Sequence, residues 1–595
     1  MLANSISHKR YPGWSHWCDR KCLALTIETR ERQRYLFIMR EKQLPEKKTL
    51  SGIDVLNNPT LNKGTAFSQK ERENLGLVGL LPDGVETMDQ QVERVLGHLA
   101  QKPTDLERYI YLVGLADRNE TLFYKVVTSD PERFLPIVYD PTIAEACLKF
   151  AHIYRRPRGM YVSIREKGRI AEVLRNSAVK DARFICVSTG GRILGLGDIG
   201  ANGMGIPIGK LELYTACAAV PPDELLPILL DIGTTNEKLL ADPLYLGIRQ
   251  QPPSLEELDE FVDEFVVAVQ EVFPNCCIHF EDWKGVEAVR YLARYRNKAL
   301  CYNDDIQGTA GVTLTGLINA LKITGGQLTD QRILFAGAGS AGIGLADLIV
   351  SAMAQQGVAP DVARRQIRLF DSQGLVVAGR PGLAAFKVPY AYKGSPSKPF
   401  NRHDLASECP QFVAAVEDFE PTMLIGVSTM GKLFSREVVE AMARINERPI
   451  IFALSNPIDK HECLPADAYA WSKGKAVYAG GVQFPPVHLG GQTLLPSQAN
   501  NLYIFPAVGL AIYLARPQRV TDEMFIEAAK AVADQVSPEQ LKLGMLFPPQ
   551  SDIVKIEVEA AARVAEFMFE NRLATVQRPA DIRTWVEGQL YHPSY

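Results

Sequence analysis

The chain is 595 residues long, 46% hydrophobic and 23% charged, with a formal net charge of −4 from 65 Lys+Arg against 69 Asp+Glu. That length exceeds what one hydrophobic core normally serves, so at least two domains are expected. The balanced charge gives no reason to expect nucleic acid or an anionic membrane as partner, and no apolar run reaches the roughly 18 residues a membrane span needs.

Residues 1–50 read as an N-terminal extension. They are basic and polar and lack the apolar stretch of a secretory signal, while Asp19, Glu28, Glu31, Glu41 and Glu46 argue against a mitochondrial transit peptide. The cytoplasm is the expected location, with the mitochondrial matrix as the alternative. The ten cysteines are scattered, and His16, Cys18 and Cys22 lack the second half of a zinc site. A chain of this size needs no covalent staples, so free thiols are expected.

Helical periodicity governs about 85–150, as in Val92-Val95-Leu96-Leu99 and Leu106-Tyr109-Ile110-Leu112. From about 160 to 300, short apolar runs (Phe184–Val187, Leu225–Leu230, Cys277–Phe280) alternate with helical stretches such as Leu255–Val272. That alternation predicts an α/β layer with a parallel sheet. A second α/β unit is predicted from the strands Ile333–Ala336, Ile367–Phe370, Met423–Val427 and Ile450–Leu454. Arg380–Arg402, rich in Pro, Gly and Lys, reads as a surface excursion. Tyr503–Ala515 reads as a buried helix, and helical periodicity returns after about 520.

G-x-G-x-x-G occurs twice, and context separates the two copies. Gly337-Ala338-Gly339-Ser340-Ala341-Gly342 follows the strand pattern Arg332–Ala336 and precedes the helical Ile343–Met353; the next strand ends in Asp371. Strand, glycine turn, helix, strand and acid together form the dinucleotide fingerprint. The glycines admit a pyrophosphate at the helix N-terminus, and the acid can accept hydrogen bonds from the adenosine ribose. The other copy, Gly195–Gly200, runs into Ala201-Asn202-Gly203-Met204-Gly205-Ile206-Pro207, where no clean helix start is expected. Gly205–Lys210 is no P-loop either, because Met204 and Leu211 stand where Gly and Ser/Thr are needed. It reads as a glycine-rich loop ending in a lone Lys210.

Glu281-Asp282 closes the run Cys277–Phe280, and Asn303-Asp304-Asp305 follows Leu300-Cys301-Tyr302. Both acidic pairs therefore fall at C-terminal ends of predicted strands, where open α/β sheets bind ligands. Acids there also serve as plain helix caps. Two such pairs beside a dinucleotide fold favour a metal site, and oxygen-only donors point to Mg²⁺ or Mn²⁺.

From about Gly52 to Pro517 the sequence closely resembles the malic enzyme family. The motifs that carry the resemblance are Leu61–Phe67, Leu135–Tyr139, Arg155–Gly159, Gly191–Asp198, Gly205–Lys210, Phe280–Asp282, Asn303–Thr309, Leu454–Pro457 and Asn500–Pro506. The resemblance implies a Rossmann-type dinucleotide-binding domain plus a second α/β catalytic domain, with helical N- and C-terminal regions. Its boundaries are a helical N-terminal region over 51–157, a malate- and metal-binding domain over 158–303 and an NAD(P)-binding domain over 304–499. A segment over 500–595 then completes the catalytic domain and adds a helical tail. The implied reaction is oxidative decarboxylation of (S)-malate to pyruvate and CO₂ with NAD(P). The alternative is a malolactic enzyme, which keeps its NAD and releases lactate. Lys210 matches the family's general base and Tyr139 its general acid. Glu281, Asp282 and Asp305 match the metal ligands, and Asp304 an acid beside the base. Arg192, Asn456 and Asn501 match malate-binding residues. Arg192 and Asn456 also join Gly337, Gly339, Ser340, Ala341, Gly342 and Asp371 toward the dinucleotide. A homotetramer or homodimer is implied.

The sequence departs from the family pattern at Asp140 beside the expected acid, at Ser188–Gly191, at Gly480–Phe484 and at Ala499. As a base, Lys210 is expected to lie below its ordinary pKa through burial and the neighbouring cation, with nearby carboxylates opposing that shift. Three carboxylates with Mn²⁺ leave about −1, and bound malate about −3, so Arg192 is the expected compensating cation. Asp371 disfavours a 2′-phosphate while Lys387 lies where it would help NADP, so NAD is expected and NADP remains open.

Overall fold

The computed structural model describes residues 50–193, 195–396 and 409–595. Most of the expected extension, with His16, Cys18 and Cys22, and the end of the Arg380–Arg402 excursion lie outside the described residues. All eight cysteines among the described residues are free and buried. No described helix is long and apolar enough to cross a membrane.

The chain divides after Val85 into two compact units. In the first, Val55, Phe67 and Leu77 form a small core. Buried Arg72 closes it by donating to the carbonyls of Thr65, Phe67, Pro82 and Gly84.

The second unit begins with helices α1 (Met88–Ala100), α2 (Asp105–Ala116), α3 (Glu120–Ser129) and α4 (Pro131–Val138). Side chains of Thr87, Thr104, Asn119 and Asp130 accept from the first-turn amides of these helices, which fixes where each one starts.

Two sheets follow. The first contains β1 (Met160–Ser163), β2 (Phe184–Ser188), β3 (Leu225–Asp231), β4 (Cys277–Phe280) and β5 (Cys301–Asn303), in the order β1-β3-β2-β4-β5. Every pairing is parallel. Parallel sheets are covered on both faces, which is why β2 and β4 read as unbroken apolar runs. Between β2 and β3 lies α5 (Gly205–Ala218), and α6 (Leu255–Val272) and α7 (Gly285–Tyr295) flank β4.

The helix α5 corrects the sequence expectation of a loop. A short 3-10 turn over Gly200–Met204 leads directly into it, and all 14 of its residues are buried. A helix covered on every side has no polar face, so no amphipathic period announces it. Gly209 is needed for its packing, because a Cβ there would lie 2.8 Å from the Tyr139 ring.

From β5 the chain makes a π-helical turn through Asp304–Gly308 into α8 (Thr309–Thr324), which leads to the second sheet. This sheet holds β6 (Ile333–Ala336), β7 (Ile367–Asp371), β8 (Gly374–Leu375), β9 (Met423–Gly426), β10 (Ile450–Ala453), β11 (Val477–Gly480) and β14 (Ser497–Gln498). A hairpin, β12 (Val487–Leu489) with β13 (Gln492–Leu494), stands apart. The order is β14-β11-β10-β9-β6-β7-β8, parallel except for β7 with β8. Strand order reverses between β6 and β9, and α9 (Ser340–Gln355) starts beside that crevice. Finally α10 (Phe505–Ala515), α11 (Asp522–Ala533) and α12 (Ile553–Glu570) return to pack on α5 and α8.

Candidate active site

Three parallel strands of the first sheet, β2, β4 and β5, end on the same edge. Glu281-Asp282 leaves β4 there and Asp304-Asp305 leaves β5. The helix α5 brings Lys210 to the same edge. Lys210, Glu281, Asp282 and Asp304 are all buried, at 3%, 4%, 6% and 0% exposure. So many charges survive in the interior only by pairing. Lys210 Nζ lies 3.1 Å from Glu281 Oε1 and forms an ion pair with Asp304 Oδ2. The backbone N–H of Asp282 donates to Asp305 Oδ2 at 2.8 Å, tying the two acidic pairs together although 23 positions separate those residues. Asp282 takes up a left-handed conformation, φ 55°, to make that turn.

Tyr139, at the end of α4, places its ring centroid 5.6 Å from Lys210 Nζ, and Phe505 lies closer, at 4.4 Å. Asn501 Nδ2 donates to Asp304 Oδ2 at 3.0 Å and to Thr309 Oγ1 at 3.1 Å. Tyr139, Lys210, Glu281, Asp282, Asp305, Asn456 and Asn501 all line one cavity of about 190 Å³. A larger cavity of about 580 Å³ adjoins it through Tyr139, Asp140, Asn456 and Asn500, and Val482 and Gln483 line that one. The departures Asp140 and Val482-Gln483 thus face the approach to the carboxylates. Asn456, before a cis peptide to Pro457, has a buried Oδ1 with no hydrogen-bond partner among the described residues.

Burial pushes Glu281 up to about 8 against the pull of Lys210, and raises Asp305 with the help of the Glu281 charge. Burial disfavours the Lys210 ammonium, yet the Asp304 and Glu281 carboxylates outweigh it and hold this group well above its ordinary range. The protein's own carboxylates thus oppose the downward shift expected from burial and a neighbouring cation. The cause is proximity: two carboxylates touch the ammonium. Tyr139 is raised by burial, with Lys210 opposing.

Arg192 is not among the residues lining the carboxylate cavity. It is exposed and makes no ion pair among the described residues. A Cβ on Gly285 would lie 3.6 Å from its Nη1 and 3.3 Å from Ser340 Oγ, so Arg192 sits at the glycine-turn end of the site. That turn is built as expected. Gly337 follows β6 with φ 114°, where a Cβ would lie 2.5 Å from the Val427 carbonyl oxygen, and Gly339 precedes α9, which opens with Ser340, Ala341 and Gly342. Asp371 ends β7 but is engaged by Arg380, with Nη1 3.0 Å from Oδ1, and by Lys387, with Nζ 2.7 Å from Oδ2. Burial alone would raise Asp371; these two cations hold it below its ordinary range.

The sequence reading missed a group behind the carboxylates. His279, Glu281 and Asp304 bring a ring nitrogen and two carboxylate oxygens within 4.8 Å of one another. Tyr214 and Tyr302 stand behind His279, each with its hydroxyl 3.0 Å from Nδ1. The available signal was the two-residue spacing of His279 and Glu281, which puts both on one strand face.

The cavity fits a hard divalent cation. Its acidic residues, Glu281, Asp282 and Asp305, offer carboxylate oxygens, and the burial that raises Glu281 and Asp305 is the kind of cost a cation relieves. Two family models match the sequence: "Malic enzyme, N-terminal domain" over residues 116–296 and "Malic enzyme, NAD binding domain" over residues 306–569. Similar proteins include the NADP-dependent malic enzymes of Anas platyrhynchos and Homo sapiens. Each is 44% identical over 547 residues, covering 91% of this chain and 96% and 94% of the relatives. The chloroplastic NADP-dependent malic enzyme of Oryza sativa subsp. japonica is 44% identical over 549 residues, 92% of this chain and 84% of that one. In fold, the Entamoeba histolytica malic enzyme is similar with TM-score 0.53 at 23% identity, covering 87% of this chain and 91% of that one.

Proposed function

The chain belongs to the malic enzyme family, and from that premise we propose that the carboxylate cavity is where (S)-malate is bound, oxidised and decarboxylated. The net reaction is malate and NAD(P)⁺ to pyruvate, CO₂ and NAD(P)H. Glu281, Asp282 and Asp305 hold a divalent Mn²⁺ or Mg²⁺ in this reading. When bound, that ion polarises the hydroxyl and carboxylate oxygens of malate.

The chain's own residues then divide the proton work. Lys210 takes the hydroxyl proton as general base, for which it must first be neutral. Glu281 committed to a cation spends one of the two charges that keep Lys210 protonated. Tyr139 supplies the proton to carbon after CO₂ departs, and in this reading Lys210, with Nζ 5.6 Å from the Tyr139 ring centroid, restores the phenol. Asn456, with its free buried oxygen, and Asn501 orient malate. Arg192 compensates charge from the dinucleotide side. Asp304 holds Lys210 in place. In this reading residues 158–303 supply the malate and metal half with Glu281 and Asp282, 304–499 form the dinucleotide domain while adding Asp305 and Asn456 to the cavity, and 500–595 close the catalytic half.

For the dinucleotide, the arrangement at Asp371 supports NADP rather than NAD. Its carboxylate is already engaged by Arg380 and Lys387, and two cations against one acid leave positive charge for a 2′-phosphate. The NADP-dependent relatives agree. The reading places the protein in the cytoplasm as a homotetramer or homodimer.

The observation that carries the reading is the convergence of Lys210, Glu281, Asp282 and Asp305 on one cavity beside Tyr139. One assay tests it: malate and Mn²⁺ with NADP or NAD, following nicotinamide reduction by absorbance and then assaying products. Pyruvate formed in step with NADPH is expected. Lactate without net reduction indicates the malolactic reaction, and no turnover with either dinucleotide overturns the reading.

A further inference from the structure

Two tiers of side chains stack behind the cavity, and the chemistry above uses only the first: Lys210, Glu281 and Asp304. The second tier is Tyr214, His279 and Tyr302, all completely buried. Three periodicities build it. Lys210 and Tyr214 are four apart on α5, hence on one helix face. His279 and Glu281 are two apart along β4 and its exit, as are Tyr302 and Asp304 along β5. The parallel pairing of β4 with β5 sets His279 opposite Tyr302.

His279 Nε2 lies 2.8 Å from Glu281 Oε2. The hydroxyls of Tyr214 and Tyr302 are hydrogen-bonded to each other, and each lies 3.0 Å from Nδ1. In the ionised state in which it would hold a cation, the Glu281 carboxylate only accepts, so the proton shared with it then belongs to Nε2, and Nδ1 accepts from a tyrosine hydroxyl. The chain of donors is complete: tyrosine to tyrosine, tyrosine to Nδ1, Nε2–H to Glu281. Rings of Tyr302 and Phe505, with centroids 4.7 and 5.7 Å away, hold the imidazole in place. With both nitrogens engaged, His279 has no lone pair left to offer the cavity, so it is not itself a ligand.

We propose that His279 is a positioning residue for the divalent ion. Its Nε2–H pins Glu281 Oε2, leaves Oε1 on the Lys210 side for the ion, and is itself oriented by Tyr214 and Tyr302. This rests on Glu281 being a metal ligand. Such outer partners typically change metal affinity by about 10–100-fold when removed.

The test is Mn²⁺ binding to the full chain without malate or dinucleotide, read from the electron paramagnetic resonance signal of the free ion. His279→Leu removes the donor and is expected to weaken binding at least about tenfold. His279→Gln, whose amide nitrogen can stand where Nε2 stands, is expected to stay within about threefold of the unmodified protein. Wild-type affinity in His279→Leu, or Gln as poor as Leu, overturns the proposal. Should His279→Leu not fold, the double variant Tyr214→Phe/Tyr302→Phe decides. It keeps the rings and deletes both hydroxyls, so weaker Mn²⁺ binding supports the proposal and unchanged binding overturns it. Glu281→Gln separates the two levels. If that variant binds Mn²⁺ normally, the ligand reading fails and takes the proposal with it. If it weakens binding while His279→Leu does not, the proposal alone fails.

Discussion

A buried ammonium pressed against Asp304 and Glu281 gives up its proton only when one of those charges is otherwise engaged. Lys210→Ala should therefore lower malate oxidation by at least about 100-fold, the lower bound for losing a positioned base. NADP binding, measured by fluorescence titration, should stay unchanged because the glycine turn is untouched. Normal turnover would remove Lys210 from the chemistry. The pairing at Asp371 carries a second expectation. Deleting one charge-assisted contact to a 2′-phosphate costs about 1.5–3 kcal/mol, so Lys387→Ala should lower kcat/KM for NADP by roughly tenfold or more while leaving NAD nearly unaffected. Equal losses with both dinucleotides would place Lys387 away from that phosphate. At this scale the motifs were legible because identity alone marks them: Glu281, Asp282, Asp305, Lys210, Tyr139, Asn456 and Asn501 come to one cavity. The electrostatics were not. Whether Lys210 is raised or lowered depends on distances to two carboxylates, and Arg192 lies off the cavity, its Nη1 beside Gly285 on the Ser340 side. His279, Tyr214 and Tyr302 become a group only once three elements have been registered against one another, which no single stretch of sequence reveals.

Elements with a polar face or clean boundaries were read closely. The amphipathic α6 spans Leu255–Val272, and β4 and β6 span Cys277–Phe280 and Ile333–Ala336, as the patterns predict. The helix α5 was missed for loss of contrast, because it is buried all round; β1 and β11 were also missed, although they are no shorter than β4 and β6. The helix pair α10 and α12 shows a further device that pattern hides. Glu557 is completely buried on α12, and its Oε2 accepts the N–H of Ala507 at 2.7 Å, serving an unpaired donor in the first turn of α10. Burial raises Glu557 far above the ordinary carboxyl range. The folded protein thus keeps a proton that the unfolded chain releases above its ordinary pKa near 4.5. More protons bound in the folded state means stability falls as pH rises from that value toward the folded one. Glu557→Gln retains an acceptor for Ala507 and cannot ionise, so its melting temperature should decline less between pH 5 and 8 than the parent's (about neutral to stabilising at the upper end). Glu557→Ala instead strands the amide and should cost about 1–3 kcal/mol near pH 5, a deficit that narrows as pH rises and the parent loses its own advantage. Parallel pH profiles for parent and Gln variant would show that Glu557 does not carry the proton.

In the unit from Glu86 to Tyr595, the chain visits the first sheet, then the second, then returns to the first through α10–α12, which pack on both α5 and α8. Lys210 stands on α5, and α8 grows out of the turn that holds Asp304 and Asp305. The last helices therefore clamp both elements that supply the cavity, so a ligand that braces the cavity should brace the unit as a whole. Binding to the folded state alone adds RT ln(1 + [L]/Kd), about 2.7 kcal/mol when the ligand is present at 100 times its Kd. Mn²⁺ at that level should shift the main melting transition upward as one step rather than splitting it, and NADP at its own glycine turn should do the same. Asp305→Asn then tells the two apart. Removing one carboxylate should weaken Mn²⁺ at least tenfold and cut its shift by about 1.4 kcal/mol, the free-energy equivalent of that factor. The NADP shift should persist, because Gly337 to Gly342 and Asp371 are unaltered. An Mn²⁺ shift of full size in Asp305→Asn would remove that residue from the metal site. A transition that splits on Mn²⁺ addition would show that the returning helices do not couple the two sheets.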